Sequence, residues 1–120
     1  MNTVLVVDDD ALIVKMISMT LKTSGYDVIT AANGQEGLEI AYGYDPDVIL
    51  LDIMMPGMDG LTMLEELRQT SDTPVIMISA YGSADKIDKA RKLGIECFLN
   101  KPFKPDVLVE ILDVIFMTEL

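Results

Sequence analysis

The sequence predicts an α/β domain of (βα)5 type, a doubly wound, parallel five-stranded sheet covered by helices on both faces. Three observations predict it. Short runs of Val, Ile and Leu alternate five times with longer stretches of helical period. Each run is apolar throughout instead of alternately polar, as strands buried on both faces are. Gly, Pro, Asn and Asp fall between the runs, where chain reversals are needed. Right-handed crossovers then leave few topologies.

The units follow in order. Val4–Val7 is the first strand, and the helix after it covers Leu12–Lys22, with Asp10 as its N-cap and Ser24-Gly25 as its end. Val28–Ile29 precedes Gln35–Tyr42, entered through Ala32-Asn33-Gly34; Tyr42 and Tyr44, before Asp45-Pro46, read as a surface turn. Val48–Leu51 leads through Met54-Met55-Pro56-Gly57-Met58-Asp59-Gly60 to a helix over Leu61–Arg68, with Asp59 read as a turn residue. Val75–Ile78 precedes Lys86–Leu93, which Gly94 ends, and Cys97–Leu99 precedes Val107–Met117. In the last helix Val107, Leu108, Ile111, Leu112, Ile115 and Phe116 form the expected core stripe. Val109, Val114 and Met117 widen its apolar arc beyond the usual width. The surplus favours a homodimer through that face or docking to another protein, without choosing between them. The fourth helix offers only Ala84, Ile87, Ala90 and Leu93 to the sheet, so it should shift cheaply.

A chain of 120 residues fits one domain over residues 1–120 with a real core. A single cysteine, Cys97, allows no internal disulfide and reads as a small buried hydrophobe; with no signal-peptide pattern, the expectation is a cytoplasmic chain. No apolar run is long enough to cross a bilayer, so no membrane role is expected. The net charge of −11 disfavours direct binding of nucleic acid by this segment. No histidine is present, which removes zinc hydrolases and Ser-His triads. The basic group Lys86, Lys89, Arg91 and Lys92 is interleaved with Asp85 and Asp88 and reads as a solvated face.

Chemistry is concentrated where the strands end. Asp8 and Asp9 close the first run and Asp52 the third, so parallel neighbouring strands would bring the three carboxylates together. Two carboxylates about 5 Å apart repel by roughly 3 kcal/mol at an effective dielectric of about 20, so a cation must offset them. Lys101, closing the fifth run, supplies one positive charge, and the remaining deficit of two calls for a divalent cation. An all-oxygen donor set points to Mg²⁺. Ser79 ends the fourth run and adds a hydroxyl to the same rim. Asp52, on the middle strand before a flexible loop, is assigned as the reachable nucleophile for phosphorus, giving an acyl phosphate. Asp8, Asp9 and Asp52 would hold Mg²⁺, while Lys101 and Ser79 take the phosphoryl oxygens.

The set Val7-Asp8-Asp9, Leu51-Asp52-Ile53-Met54-Met55-Pro56-Gly57-Met58-Asp59-Gly60, Ser79-Ala80 and Lys101-Pro102-Phe103 resembles the receiver domain of bacterial two-component response regulators. Order and spacing agree over essentially the whole chain. The resemblance implies the flavodoxin-like, CheY-like strand order 2-1-3-4-5, for which CheY is a standing example. It implies that Asp52 takes a phosphoryl group from a histidine kinase, a phosphotransfer protein or a small donor such as acetyl phosphate. Mg²⁺ would be bound by Asp9, Asp52 and the backbone carbonyl of Met54, with Asp8 acting mainly through water. The Lys101-Pro102 bond would be cis. Ser79 would move toward the phosphoryl group and Phe98 would turn inward behind it. The fourth helix, fifth strand and fifth helix would carry the change to a downstream effector or output domain. Such a protein is a signalling switch with self-phosphorylation and self-dephosphorylation chemistry, not a turnover enzyme. Met54 and Tyr81 depart from the chemotaxis pattern, which has an amide and an acid there to place the hydrolytic water. A long-lived phospho-Asp52 is the expectation, with Tyr81 shielding the site.

Three rivals fit less well. A phosphohydrolase of the haloacid dehalogenase type needs an Asp two residues past the nucleophile, where this chain has Met54. A flavin-binding domain needs hydroxyl- and glycine-rich phosphate contacts after the first strand, where three carboxylates stand. A phosphorylation-independent interaction module is expected to lack an Asp or the Lys, and here the set is full.

Overall fold

Five strands, β1 (Thr3–Val7), β2 (Asp27–Ala31), β3 (Val48–Asp52), β4 (Val75–Ser79) and β5 (Cys97–Asn100), form one parallel sheet in the order β2-β1-β3-β4-β5. The structure is a computed structural model and describes residues 2–80 and 84–118. The helices are α1 (Ala11–Thr23), α2 (Gly34–Tyr44), α3 (Gly60–Arg68), α4 (Ala84–Leu93) and α5 (Pro105–Thr118).

The apolar strands divide the core in two because successive side chains point to opposite faces. Leu5, Val7, Ile49, Leu51, Val75 and Met77 face α2, α3 and α4, meeting Leu38, Leu64, Leu67 and Ala90. Val4, Val6, Val48, Leu50, Ile76 and Ile78 face α1 and α5, meeting Ile17, Leu21, Leu108 and Leu112. The chain leaves β1 for β2 on one side and returns to β3 on the other. The carboxyl ends of β1 and β3 therefore flank the point where strand order reverses, and a crevice opens there.

Local chemistry sets the boundaries. Asp10 caps α1, its side chain accepting from the amides of Leu12 at 3.0 Å and Ile13 at 3.4 Å. Asn33 caps α2 through the amide of Glu36. Asp59, read from the sequence as a turn residue, is the N-cap of α3 and accepts from the amide of Thr62 at 2.9 Å. β2 runs longer than Val28–Ile29 because pairing with β1 extends from Asp27 to Ala31. Asp52 and Ser79 are the last residues of β3 and β4, in keeping with their place at the close of the apolar runs.

Two helix readings need correction. Val107 is 40% exposed, and the core side of α5 is Leu108, Leu112 and Ile115, with Val109, Ile111 and Phe116 packed beside them. On α4 only Ala90 is buried and Leu93 packs partly against the core, while Ala84 is exposed. The end of the helix is also fastened by hydrogen bonds to its last carbonyls. There Arg68, at the end of α3, donates from Nε to the carbonyl of Leu93 (3.1 Å) and from Nη2 to that of Gly94 (2.8 Å). Its Nη1 reaches the carbonyl of Ser71 at 3.1 Å. By contrast α5 is tied to the α1–β2 turn: the Tyr26 hydroxyl donates to Asp113 at 2.5 Å, and the rings of Tyr26 and Phe116 lie 5.7 Å apart. Burial first, and Asp113 second, push the Tyr26 phenol well above its ordinary range. Cys97 is partly buried against the α1/α5 core, and burial raises its thiol.

Candidate functional site

β1 and β3 lie side by side with Val7 opposite Leu51, so the residues that follow each, Asp8 and Asp52, emerge at one edge of the sheet. On the other side of β3, Asp52 pairs with Ile78, which places Ser79 one residue further along the same rim. The Lys101 amide donates to the carbonyl of Ser79 at 2.9 Å, and the Lys101-Pro102 bond is cis, as the resemblance implied. The topology alone thus gathers residues from four strand ends.

The side chains converge. Lys101 Nζ donates to Asp8 Oδ2 at 2.8 Å and to Asp52 Oδ2 at 3.2 Å, bridging the two acids. Carboxylate oxygens of Asp8, Asp9 and Asp52 lie within 4.8 Å of one another. Asp8 Oδ1 accepts from the amide of Asp10 at 2.9 Å, and Asp52 Oδ1 accepts from the amide of Met54 at 3.2 Å.

Exposure is distributed differently from the sequence expectation. Asp52 is 3% exposed and Asp8 1%, whereas Asp9 is the acid open to solvent. Asp52 stays inside because its backbone is still paired within the sheet and Lys101 covers it. Burial, then the negative charge of Asp8, push the Asp52 carboxyl from an ordinary 3.8 up to about 6, against the opposing pull of Lys101 and the Met54 amide. For Lys101, burial works to lower the ammonium, but its hydrogen bond and attraction to Asp8, followed by Asp52, outweigh it and raise the value. One lysine therefore does not neutralise the cluster. The donor set is oxygen only and still carries excess negative charge, which fits a hard divalent cation such as Mg²⁺.

Ser79 is fully buried at the end of β4. Phe98 is half-buried on β5, packed on the face shared with α2, α3 and α4. Met54 stands beside Asp52 and is 48% exposed, and Tyr81 lies outside the described residues. Two neighbours escaped the sequence reading. Gly60 packs its backbone against Asp52; its requirement for a missing side chain was signalled only by the turn pattern before α3. Lys86, read as part of a solvated face, brings Nζ within 3.5 Å of Met54 Sδ.

A five-stranded sheet of this order, with a lysine set between buried acids at its switch point, defines the CheY-like class of domain. Residues 4–113 match the family described as response regulator receiver domain. Among curated relatives, the probable transcriptional regulator ycf27 of Guillardia theta is 44% identical over 106 residues, covering 88% of this chain and 41% of its own. The same-named protein of Cyanophora paradoxa is 42% identical over 106 residues, covering 88% of this chain and 44% of its own. Among solved structures, the Francisella response regulator 1452 receiver domain superposes with a TM-score of 0.91 at 36% identity, covering all of both chains. The Vibrio cholerae chemotaxis protein CheY4 gives 0.88 at 38% identity, covering 94% of this chain and 97% of that one. The chain belongs to the response regulator receiver domain family, whose members act as signalling switches and not as classical enzymes. It spans less than half the length of the curated relatives it matches. Among the described residues no helix is long and apolar enough to cross a membrane.

Proposed function

We propose that residues 1–120 form one receiver domain in which Asp52 is the phosphoacceptor, fed by the phosphohistidine of a histidine kinase or phosphotransfer protein. The observation that carries this is the Lys101 bridge to Asp8 and Asp52, because it leaves one carboxylate oriented and only partly neutralised at the switch point. A carboxylate oxygen of Asp52 attacks phosphorus; the P–N bond breaks and its electron pair returns to the imidazole ring. The product is an aspartyl acyl phosphate, and its hydrolysis releases inorganic phosphate and restores the carboxylate.

Each neighbour has a part. Asp8, Asp9, Asp52 and the backbone carbonyl of Met54 would hold Mg²⁺, which when bound offsets negative charge on the transferring oxygens. Lys101 holds the Asp52 oxygen in place and follows the charge onto the phosphoryl group. Ser79 donates its hydroxyl to a phosphoryl oxygen, and Phe98 turns inward behind it. The surface of α4, β5 and α5 then presents the change to a partner or output domain, or to a second copy in a homodimer. The groove between β5 and α5, lined by Cys97, Phe98, Leu99, Ile111 and Val114, supports that use. Relatives named as transcriptional regulators support a transcriptional output in a longer protein, with this acidic segment not itself on DNA and the whole acting in the cytoplasm.

Acetyl phosphate with Mg²⁺ tests the reading. Intact-mass measurement should show one added phosphoryl group on the wild-type chain and none on Asp52→Asn. An unmodified wild type would overturn it. Sustained phosphate release over many turnovers would favour the hydrolase instead.

A further inference from the structure

Phosphorylation changes the charge count at the site. Asp8, Asp9 and Asp52 carry three negative charges, matched by Lys101 and a divalent cation. An acyl phosphate on Asp52 replaces one negative charge by about two. One further positive charge is then wanted at the mouth of the site, on the solvent side of Asp52.

Lys86 is placed to supply it. Its Nζ lies 3.5 Å from Met54 Sδ, and Met54 is the residue whose amide holds Asp52 Oδ1 at 3.2 Å. Met54, half-exposed, thus touches the Lys86 ammonium through its sulfur and the Asp52 carboxylate through its amide. On its other side Lys86 borders a crevice of about 370 Å³ between α3 and α4, lined also by Asp59, Glu65, Asp85 and Lys89. The ammonium therefore stands between two anionic regions, and a new dianion on Asp52 shifts the balance toward the site. A flexible four-carbon stem lets the ammonium change its direction. Any backbone movement is drawn from α4, where Ala90 is the one buried residue.

We propose that Lys86 contacts the phosphoryl group carried by Asp52, coupling the charge at the site directly to the first turn of α4. The inference rests on the phosphoacceptor reading given above. It adds a route to α4 that runs over the surface, separate from Ser79 and Phe98.

Beryllofluoride, which mimics a phosphoryl group on a carboxylate, is the probe, used with the full chain and Mg²⁺ at low ionic strength. Calorimetry gives the affinity, and amide NMR shifts follow residues 84–93. Lys86→Gln should weaken binding by about fivefold, the upper range for one exposed ion pair, and should shrink the shifts in α4. Lys86→Arg should restore both. Lys89→Gln removes the same charge one turn further along the helix and should bind as the wild type does, which separates contact from general field. Wild-type affinity and wild-type α4 shifts in Lys86→Gln would overturn the Lys86 contact, as would an equal loss in Lys89→Gln. A wild-type chain that binds no beryllofluoride would overturn the phosphoacceptor reading itself.

Discussion

Gly60 lies so close to Asp52 that a Cβ at position 60 would overlap the Asp52 carbonyl oxygen. The Gly60 amide also donates to the carbonyl of Ile53 at 2.9 Å. The first residue of α3 is thus docked on the strand end that carries Asp52. Backbone on both sides of the contact means that neither can yield cheaply.

Gly60→Ala should therefore destabilise the chain by about 3 kcal/mol or more, as overpacking against fixed backbone does. Gly57→Ala is the comparison. Gly57 has a positive φ of 77° but open space around it, so only the backbone penalty of about 1–2 kcal/mol applies. Urea unfolding of the two variants checks the order.

The acidic cluster holds more negative charge than Lys101 alone offsets, so Mg²⁺ should raise the melting temperature. At a concentration one hundred times Kd the gain is about 2.7 kcal/mol. Asp52→Asn should stabilise the metal-free chain by about 1–3 kcal/mol, since it removes a buried charge facing Asp8. The same variant should respond less to Mg²⁺. Thermal melts with and without chelator read both effects.

The pH dependence has a definite sign. The folded chain holds the Asp52 proton up to about pH 6, against 3.8 for an ordinary carboxyl, so between those values it binds more proton than the unfolded chain. This group's contribution to stability is complete below the unfolded value and is lost as pH rises through the folded one, a change of about 3 kcal/mol. In chelator, the stability advantage of Asp52→Asn over wild type should therefore grow from about pH 4 to pH 7 and then level off. An advantage that stayed constant across this range would contradict the assignment of the shift to Asp52.

Met54 offers a thioether where the chemotaxis pattern has an amide, and a thioether orients water poorly. Met54→Asn combined with Tyr81→Glu should speed loss of the phosphoryl group by about tenfold or more, within the range for positioned general-base assistance. Decay of phosphorylated chain followed by mass spectrometry gives the rate. A rate that rose little, or fell, would count against a long-lived acyl phosphate set by these two positions.

The strands were legible because burial on both faces leaves no freedom in composition: Val48 through Leu51 are apolar and fully buried. Asp8, Asp52 and Lys101 were legible because each follows an apolar run, and parallel pairing carries every run to the same edge. What stayed hidden depends on partners far away in the chain. Asp52 reads as accessible from its loop, yet Lys101, 49 residues on, covers it. The Tyr26–Asp113 bond joins positions 87 apart, and Arg68 spends its guanidinium on carbonyls, which leave no mark in the residue code. Val107 matches the stripe in period but falls on the edge of α5 that turns to solvent.

The guanidinium of Arg68 makes α4 a door with its hinge at one end. Leu93 and Gly94 are pinned, so a rigid turn of the helix displaces its far end most. Ten residues at 1.5 Å give a leaf about 15 Å long, and a rotation of about 10° carries the outer edge roughly 2.6 Å. That edge is the one whose Lys86 meets Met54 beside the acids, so a small angular change at the pin would be largest next to the site.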